Sequence, residues 1–147
     1  MNDSLKVLLI EDEKEVAELY RLKLSLDGYN VFVAPDGESG LKKAIEEKPD
    51  LVFLDIKMPG MDGFEVLKHL RKNDVTKKTP IVILSNFDEQ EMIEKGLALG
   101  ANEYLIKSQF NPSELSAKTK NWFKIRSNES MIPPLSGLLF KSLRAWL

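Results

Sequence analysis

The chain has 147 residues, 43% hydrophobic and 30% charged, enough for one real core and little for a second folded unit. Its 21 Lys and Arg stand against 23 Asp and Glu, a formal charge of -2, so no basic excess points to direct nucleic-acid binding. The lack of cysteine excludes disulfides, thiolate metal sites and cysteine nucleophiles, and fits a reducing compartment.

In chain order, the first apolar run, Leu5 to Ile10, is flanked by acidic residues and is far too short for a signal peptide's core. It reads as a strand. Val16, Leu19, Tyr20 and Leu24 follow on one helical face before the Gly28 stop. Val31 to Val33 is the second strand, and Leu41, Ala44 and Ile45 mark the second helix, ending before Pro49. Leu51 to Leu54 and the stripe Phe64, Leu67 and Leu70 give the third pair.

Ile81 to Leu84 is the fourth strand. The helix expected over Asp88 to Leu99 is weakly patterned around Ile93 and Leu97 and contains Gly96, which gives it the poorest propensity of the set. Tyr104 to Ile106 is the fifth strand. Asn111 as N-cap, Pro112 at the first helical position and Glu114 at the third then open a helix carrying Leu115, Trp122 and Phe123.

Strands lacking polar alternation, interleaved with helices, predict an α/β fold with an open parallel sheet covered on both faces. The domain is expected over residues 1–126. Residues 127–147 read as a linker, with Pro133-Pro134, and an amphipathic tail in which Leu135, Leu138, Leu139, Leu143, Trp146 and Leu147 keep helical spacing. Such a tail is expected to dock on its own domain or on a partner, because a helix of that length is marginal alone in water. No segment is long and apolar enough for a bilayer; membrane association is not expected, and the cytoplasm is the default location.

Glu11, Asp12, Asp55, Ser85 and Lys107 each fall at or just after the end of an apolar run. In a parallel sheet, ligands sit in the crevice at the carboxyl ends of the strands. Three carboxylates, a hydroxyl and an ammonium would meet there. Clustered carboxylates repel unless a cation neutralises them, and a hard oxygen set in an open crevice suits magnesium, with Asp12 and Asp55 as direct ligands and Glu11 acting through water. A lysine beside that cation would meet an incoming anion, and a phosphoryl group fits best.

The fragments IEDE at 10–13, LDIKMPGMDG at 54–63, LS at 84–85 and YLIK at 104–107 together resemble the receiver domain of two-component response regulators, over roughly residues 5 to 126. Each fragment alone is commonplace; their order and strand context make the combination specific. The resemblance implies a flavodoxin-like doubly wound five-stranded sheet in order 2-1-3-4-5. It also implies that Asp55 is the phosphoacceptor, taking its phosphoryl group from a sensor histidine kinase or a histidine phosphotransfer protein. Magnesium would be held by Glu11, Asp12, Asp55 and the backbone carbonyl of Lys57, while Lys107 pairs with the product and Ser85 hydrogen-bonds it. Ser85 and Tyr104 would form the switch, and the surface of the fourth helix, fifth strand and fifth helix would meet a downstream protein or a second copy. Lys57 and Phe87 would tune the phosphoryl lifetime.

One departure concerns the lysine loop. The family usually has proline after the lysine, in a cis peptide, and here Ser108 follows Lys107. A cis bond without proline costs about 2.5–4 kcal/mol, so the loop is either trans or held cis by its contacts. Two rival functions remain at this level. A phosphohydrolase with an aspartate nucleophile and magnesium would want Asp two residues after Asp55, where Lys57 stands; a receiver-like scaffold that is never phosphorylated would not need so complete an acidic site. The expected protein is therefore a signalling phosphoacceptor and not an enzyme, with His69 a surface residue and Gly60 and Gly63 serving turn and helix-entry geometry.

Overall fold

Apolar runs with no polar alternation bury both faces of a strand, and that is what the central strands do. The computed structural model describes residues 4–127. Its strands are β1 (Lys6–Ile10), β2 (Asn30–Ala34), β3 (Leu51–Leu54), β4 (Ile81–Ser85) and β5 (Glu103–Ile106), all parallel in the order β2-β1-β3-β4-β5. Val7 to Ile10, Leu51 to Leu54 and Ile81 to Leu84 are all buried. β2, at one edge, is only partly covered.

The helices are α1 (Lys14–Leu26), α2 (Gly37–Glu47), α3 (Gly63–Lys72), α4 (Gln90–Ala98) and α5 (Pro112–Ser127), and Lys107–Gln109 forms a 3-10 turn. Parallel strands require a crossover after each strand, and helices packed on both faces of the sheet supply it. α1 lies beside α5 and α2 beside α3. Asp36 and Asp62 cap α2 and α3 by accepting from the Ser39 and Glu65 amides. Asn111 and Glu114 exchange side-chain-to-backbone hydrogen bonds of 2.8 and 3.0 Å at the start of α5, the reciprocal cap expected there.

Two details differ from the expected faces. Leu19 is 58% exposed, and the inward face of α1 is Ala17, Tyr20 and Leu24. The spacing 17, 20, 24 also satisfies a helical stripe, and a small alanine permits the closer approach to the sheet; Leu19, Leu22 and Leu26 point outward. The fourth helix begins at Gln90, two residues after the expected start, and its N-cap Glu89 makes no side-chain capping bond. Gly96 is the one buried residue of α4. His69 is exposed, as expected. The tail beyond Ser127, with its expected apolar stripe and docking role, lies outside the described residues.

Candidate functional site

The sheet register brings the acidic residues together. Ile10 pairs with Leu54, and the next backbone bonds run from the Asp55 amide to the Ile10 carbonyl (3.0 Å) and from the Glu11 amide to the Ala34 carbonyl (3.0 Å). Glu11 and Asp55 thus leave adjacent strands side by side, Glu11 at 2% and Asp55 at 6% exposure. Carboxylate oxygens of Glu11, Asp12 and Asp55 all lie within 4.8 Å of one another. Ser85 closes β4 and is buried, and Lys107 opens the turn after β5.

α3 fixes the floor of this site. A Cβ on Gly63 would stand 2.2 Å from the Asp55 carbonyl oxygen and 2.7 Å from Ile56 Cα. Only glycine lets the helix start this close to the acidic strand end. The Gly63 amide donates to the Ile56 carbonyl at 2.8 Å, and the Ile56 amide donates to Asp55 Oδ1 at 2.8 Å.

Lys107 answers the carboxylates. Its Nζ donates to Glu11 Oε1 at 2.7 Å and to Asp55 Oδ2 at 3.4 Å, with Glu13 at 3.8 Å. The described peptides are all trans, so the lysine reaches the site from a trans 107–108 bond. Burial raises the Asp55 carboxyl to about 7, the Glu11 charge adding to the effect and Lys107 opposing it. Burial works to lower the Lys107 pKa, but the bond to Glu11 and the charges of Asp55 and Glu11 outweigh it and hold the ammonium above the ordinary lysine range.

These groups face a crevice of about 660 Å³ that Asp12, Asp55, Lys57, Ser85, Phe87 and Lys107 help to line. Tyr104 lies behind it, 0% exposed, its hydroxyl donating to the Phe87 carbonyl at 2.8 Å while the Phe87 amide donates to Ser85 Oγ at 3.1 Å. Three contributors were not legible in the residue pattern. The Glu13 amide donates to Glu11 Oε2 at 3.0 Å and so orients that carboxylate; the Ile56 amide fixes Asp55; and the Phe87 carbonyl seats Tyr104. All three act through backbone groups, which side-chain identity does not announce.

An oxygen-only donor set open to solvent on one side fits a small hard dication that keeps several waters. With a buried lysine beside it, the site is built for an anion carrying dispersed oxygen charge. Fold and site together are those of a doubly wound α/β domain with an acidic crevice at the carboxyl ends of its strands.

The sequence profile of the response regulator receiver domain matches residues 7–120, and the chain belongs to that family. It is 43% identical over 115 residues to the alkaline phosphatase synthesis transcriptional regulatory protein PhoP of Bacillus subtilis, a match covering 78% of this chain and 47% of that protein. The chain thus spans about half the length of that curated relative. Among solved structures it resembles the chemotaxis protein CheY4 of Vibrio cholerae (34% identity, TM-score 0.75, 80% of this chain and 98% of that one). It also resembles a CheY-like receiver domain from Methanospirillum hungatei (26%, TM-score 0.79, 86% and 99%). Receiver domains are signalling domains that are phosphorylated on aspartate, bind magnesium at an acidic pocket and interact with histidine kinases or phosphotransfer proteins. Among the described residues no helix is long and apolar enough to cross a membrane.

Proposed function

We propose that this chain accepts a phosphoryl group on Asp55 from a phosphohistidine of a sensor kinase or phosphotransfer protein, and relays the event through a protein-binding surface. The observation that carries this reading is the gathering of Glu11, Asp12 and Asp55 within 4.8 Å at the mouth of an open crevice, with Lys107 Nζ 3.4 Å from Asp55. Magnesium held by Glu11, Asp12, Asp55 and the Lys57 carbonyl would supply charge neutralisation for the transferring oxygens.

The chain's own groups do the rest. The Ile56 amide holds Asp55 Oδ1, leaving Oδ2, turned toward Lys107, as the attacking oxygen. Attack forms the Oδ2–phosphorus bond as the histidine nitrogen–phosphorus bond breaks, and the nitrogen keeps the electron pair. Lys107 then pairs with a phosphoryl oxygen, and the Ser85 hydroxyl, still accepting from the Phe87 amide, donates its proton to another.

Ser85 and Tyr104 carry the event to α4, β5 and α5, where a downstream protein or a second copy binds. Lys57 and Phe87, at the crevice wall, govern water access and hence phosphoryl lifetime. A cysteine-free chain suits work in the cytoplasm.

The test is incubation with acetyl phosphate, with and without magnesium, read by intact mass. One phosphoryl group should be gained only with magnesium, with no turnover of p-nitrophenyl phosphate. Multiple turnovers of that ester would favour the phosphohydrolase, and no gain under any condition would favour the unphosphorylated scaffold.

A further inference from the structure

Arg71, in the last turn of α3, reaches two other connections at the end of the sheet opposite the crevice. Its Nε donates to the Gly100 carbonyl at 2.9 Å and its Nη2 to Asn102 Oδ1 at 3.0 Å, both in the turn from α4 to β5. Its Nη1 donates to the Thr79 carbonyl at 2.7 Å, with the Lys77 and Thr76 carbonyls at 3.2 and 3.3 Å, all in the connection from α3 to β4. Every one of these acceptors is a neutral oxygen. The half-buried guanidinium therefore serves as a planar fork that sets two connections at a fixed angle, which a lysine ammonium cannot do. Asn102 extends the tie into the sheet: the Ile81 amide donates to the same Oδ1 at 2.9 Å, and the Asn102 amide donates to the Ile81 carbonyl at 2.8 Å.

The C-terminal end of α4 is thereby closed twice. The Ala101 amide donates to the Gly96 carbonyl and the Gly100 amide to the Leu97 carbonyl, both at 3.1 Å, the paired bonds of a Schellman turn. Gly100 supplies the left-handed residue that this turn needs, at φ +110°. The N-terminal end is the reverse. Its N-cap Glu89 makes no side-chain capping bond, and Asn86, Asp88, Glu89, Gln90 and Glu91 are all exposed. One end of the helix is tied to α3, and the other is joined to Ser85 by an exposed segment.

We infer that Arg71 is a positioning residue that ties the C-terminal end of α4 to α3, so that the partner-binding surface has a fixed half at Gly100 to Glu103 and an adjustable half at the start of α4. The tie belongs to the resting protein; the division of the surface rests on the proposed phosphorylation of Asp55. A change at Ser85 then enters α4 through residues 86–90 and stops short of Gly100. Without the guanidinium, the Gly100 carbonyl and Asn102 Oδ1 lose their shared donor, and the change runs the length of the helix.

Amide hydrogen exchange read by NMR tests the tie. In Arg71→Met the Gly100 and Ala101 amides should exchange on the order of tenfold faster than in the wild type, measured against Leu9 in β1. Arg71→Lys, which keeps the charge without the fork, should show the same loss in smaller measure. Asn111→Ala, which removes a cap of α5, should lower the unfolding temperature and leave that ratio unchanged. Retained protection of Gly100 and Ala101 in Arg71→Met would overturn the inference, and if that variant does not fold, retained protection in Arg71→Lys does so. Amide chemical shifts before and after acetyl phosphate with magnesium test the division of the surface. Wild-type changes should fall on residues 86–93 and leave 100–102 in place, whereas in Arg71→Lys they should reach Gly100. Wild-type changes at Gly100 to Asn102 as large as those at the start of α4 would overturn the fixed half. Intact mass of the same samples reports the labelling of Asp55, so a failure there counts against the proposed function, while exchange in the resting protein still decides the role of Arg71.

Discussion

Asp55 is placed where its charged form is disfavoured. Burial and the neighbouring Glu11 raise its carboxyl to about 7, well above the ordinary aspartate value of 3.8, so between those values the folded chain binds a proton that the unfolded chain does not. Stability of the chelated protein should therefore fall as pH rises from about 4 to 7 through this group. Asp55→Asn should remove that slope and stabilise the chelated protein at pH 7 by on the order of 1–3 kcal/mol, the span of ordinary single substitutions, as urea unfolding would show. Unchanged stability at pH 7 would mean that the carboxylate is not strained there. Lys107→Gln should do the reverse. It removes the cation bonded to Glu11 and Asp55, costs about 1–3 kcal/mol for the unpaired buried groups, and raises the Asp55 titration further, measurable by carboxyl carbon NMR.

At the scale of elements, each strand ends where its apolar run ends, and the next residue or two carry the chemistry. That is why the crevice residues were legible: Glu11, Asp12, Asp55, Ser85 and Lys107 are polar residues at the edge of apolar runs, and register alone brings them together. The caps of α5 were legible for the same local reason. Helix rotation was less so. Leu19 and Ala17 both fit a stripe with Tyr20 and Leu24, and only contact with the sheet selects Ala17. Gly63 could be read as a helix-entry residue, but not as the reason α3 approaches the Asp55 backbone. Gly63→Ala should cost at least about 1–3 kcal/mol, as overpacking does, and should weaken magnesium affinity in calorimetry because the Asp55 main chain must move. A stable Gly63→Ala protein with unaltered magnesium binding would show that the close approach is not needed.

For the whole molecule, a rigid sheet carries a site whose own groups are in conflict: two buried carboxylates and a more open third, balanced by one lysine. On the proposed function, a cation and a phosphoryl group would relieve that conflict, and the binding energy would bias the less tightly packed α4 side. Core residues supply the rigidity. Leu54→Ala, fully buried in the strand that leads to Asp55, should lower stability by about 2–5 kcal/mol in thermal or urea unfolding. The motifs that carry the family resemblance all lie within residues 7–120, which the family profile matches.

The most direct test is chemical location of the phosphoryl group. An acyl phosphate on a carboxylate is reduced by borohydride to the alcohol, so protein treated with acetyl phosphate and magnesium, reduced and digested, should carry homoserine at position 55 and nowhere else. 5-Hydroxynorvaline at Glu11, homoserine at Asp12, or an unmodified Asp55 in protein that has gained phosphate, would contradict the account.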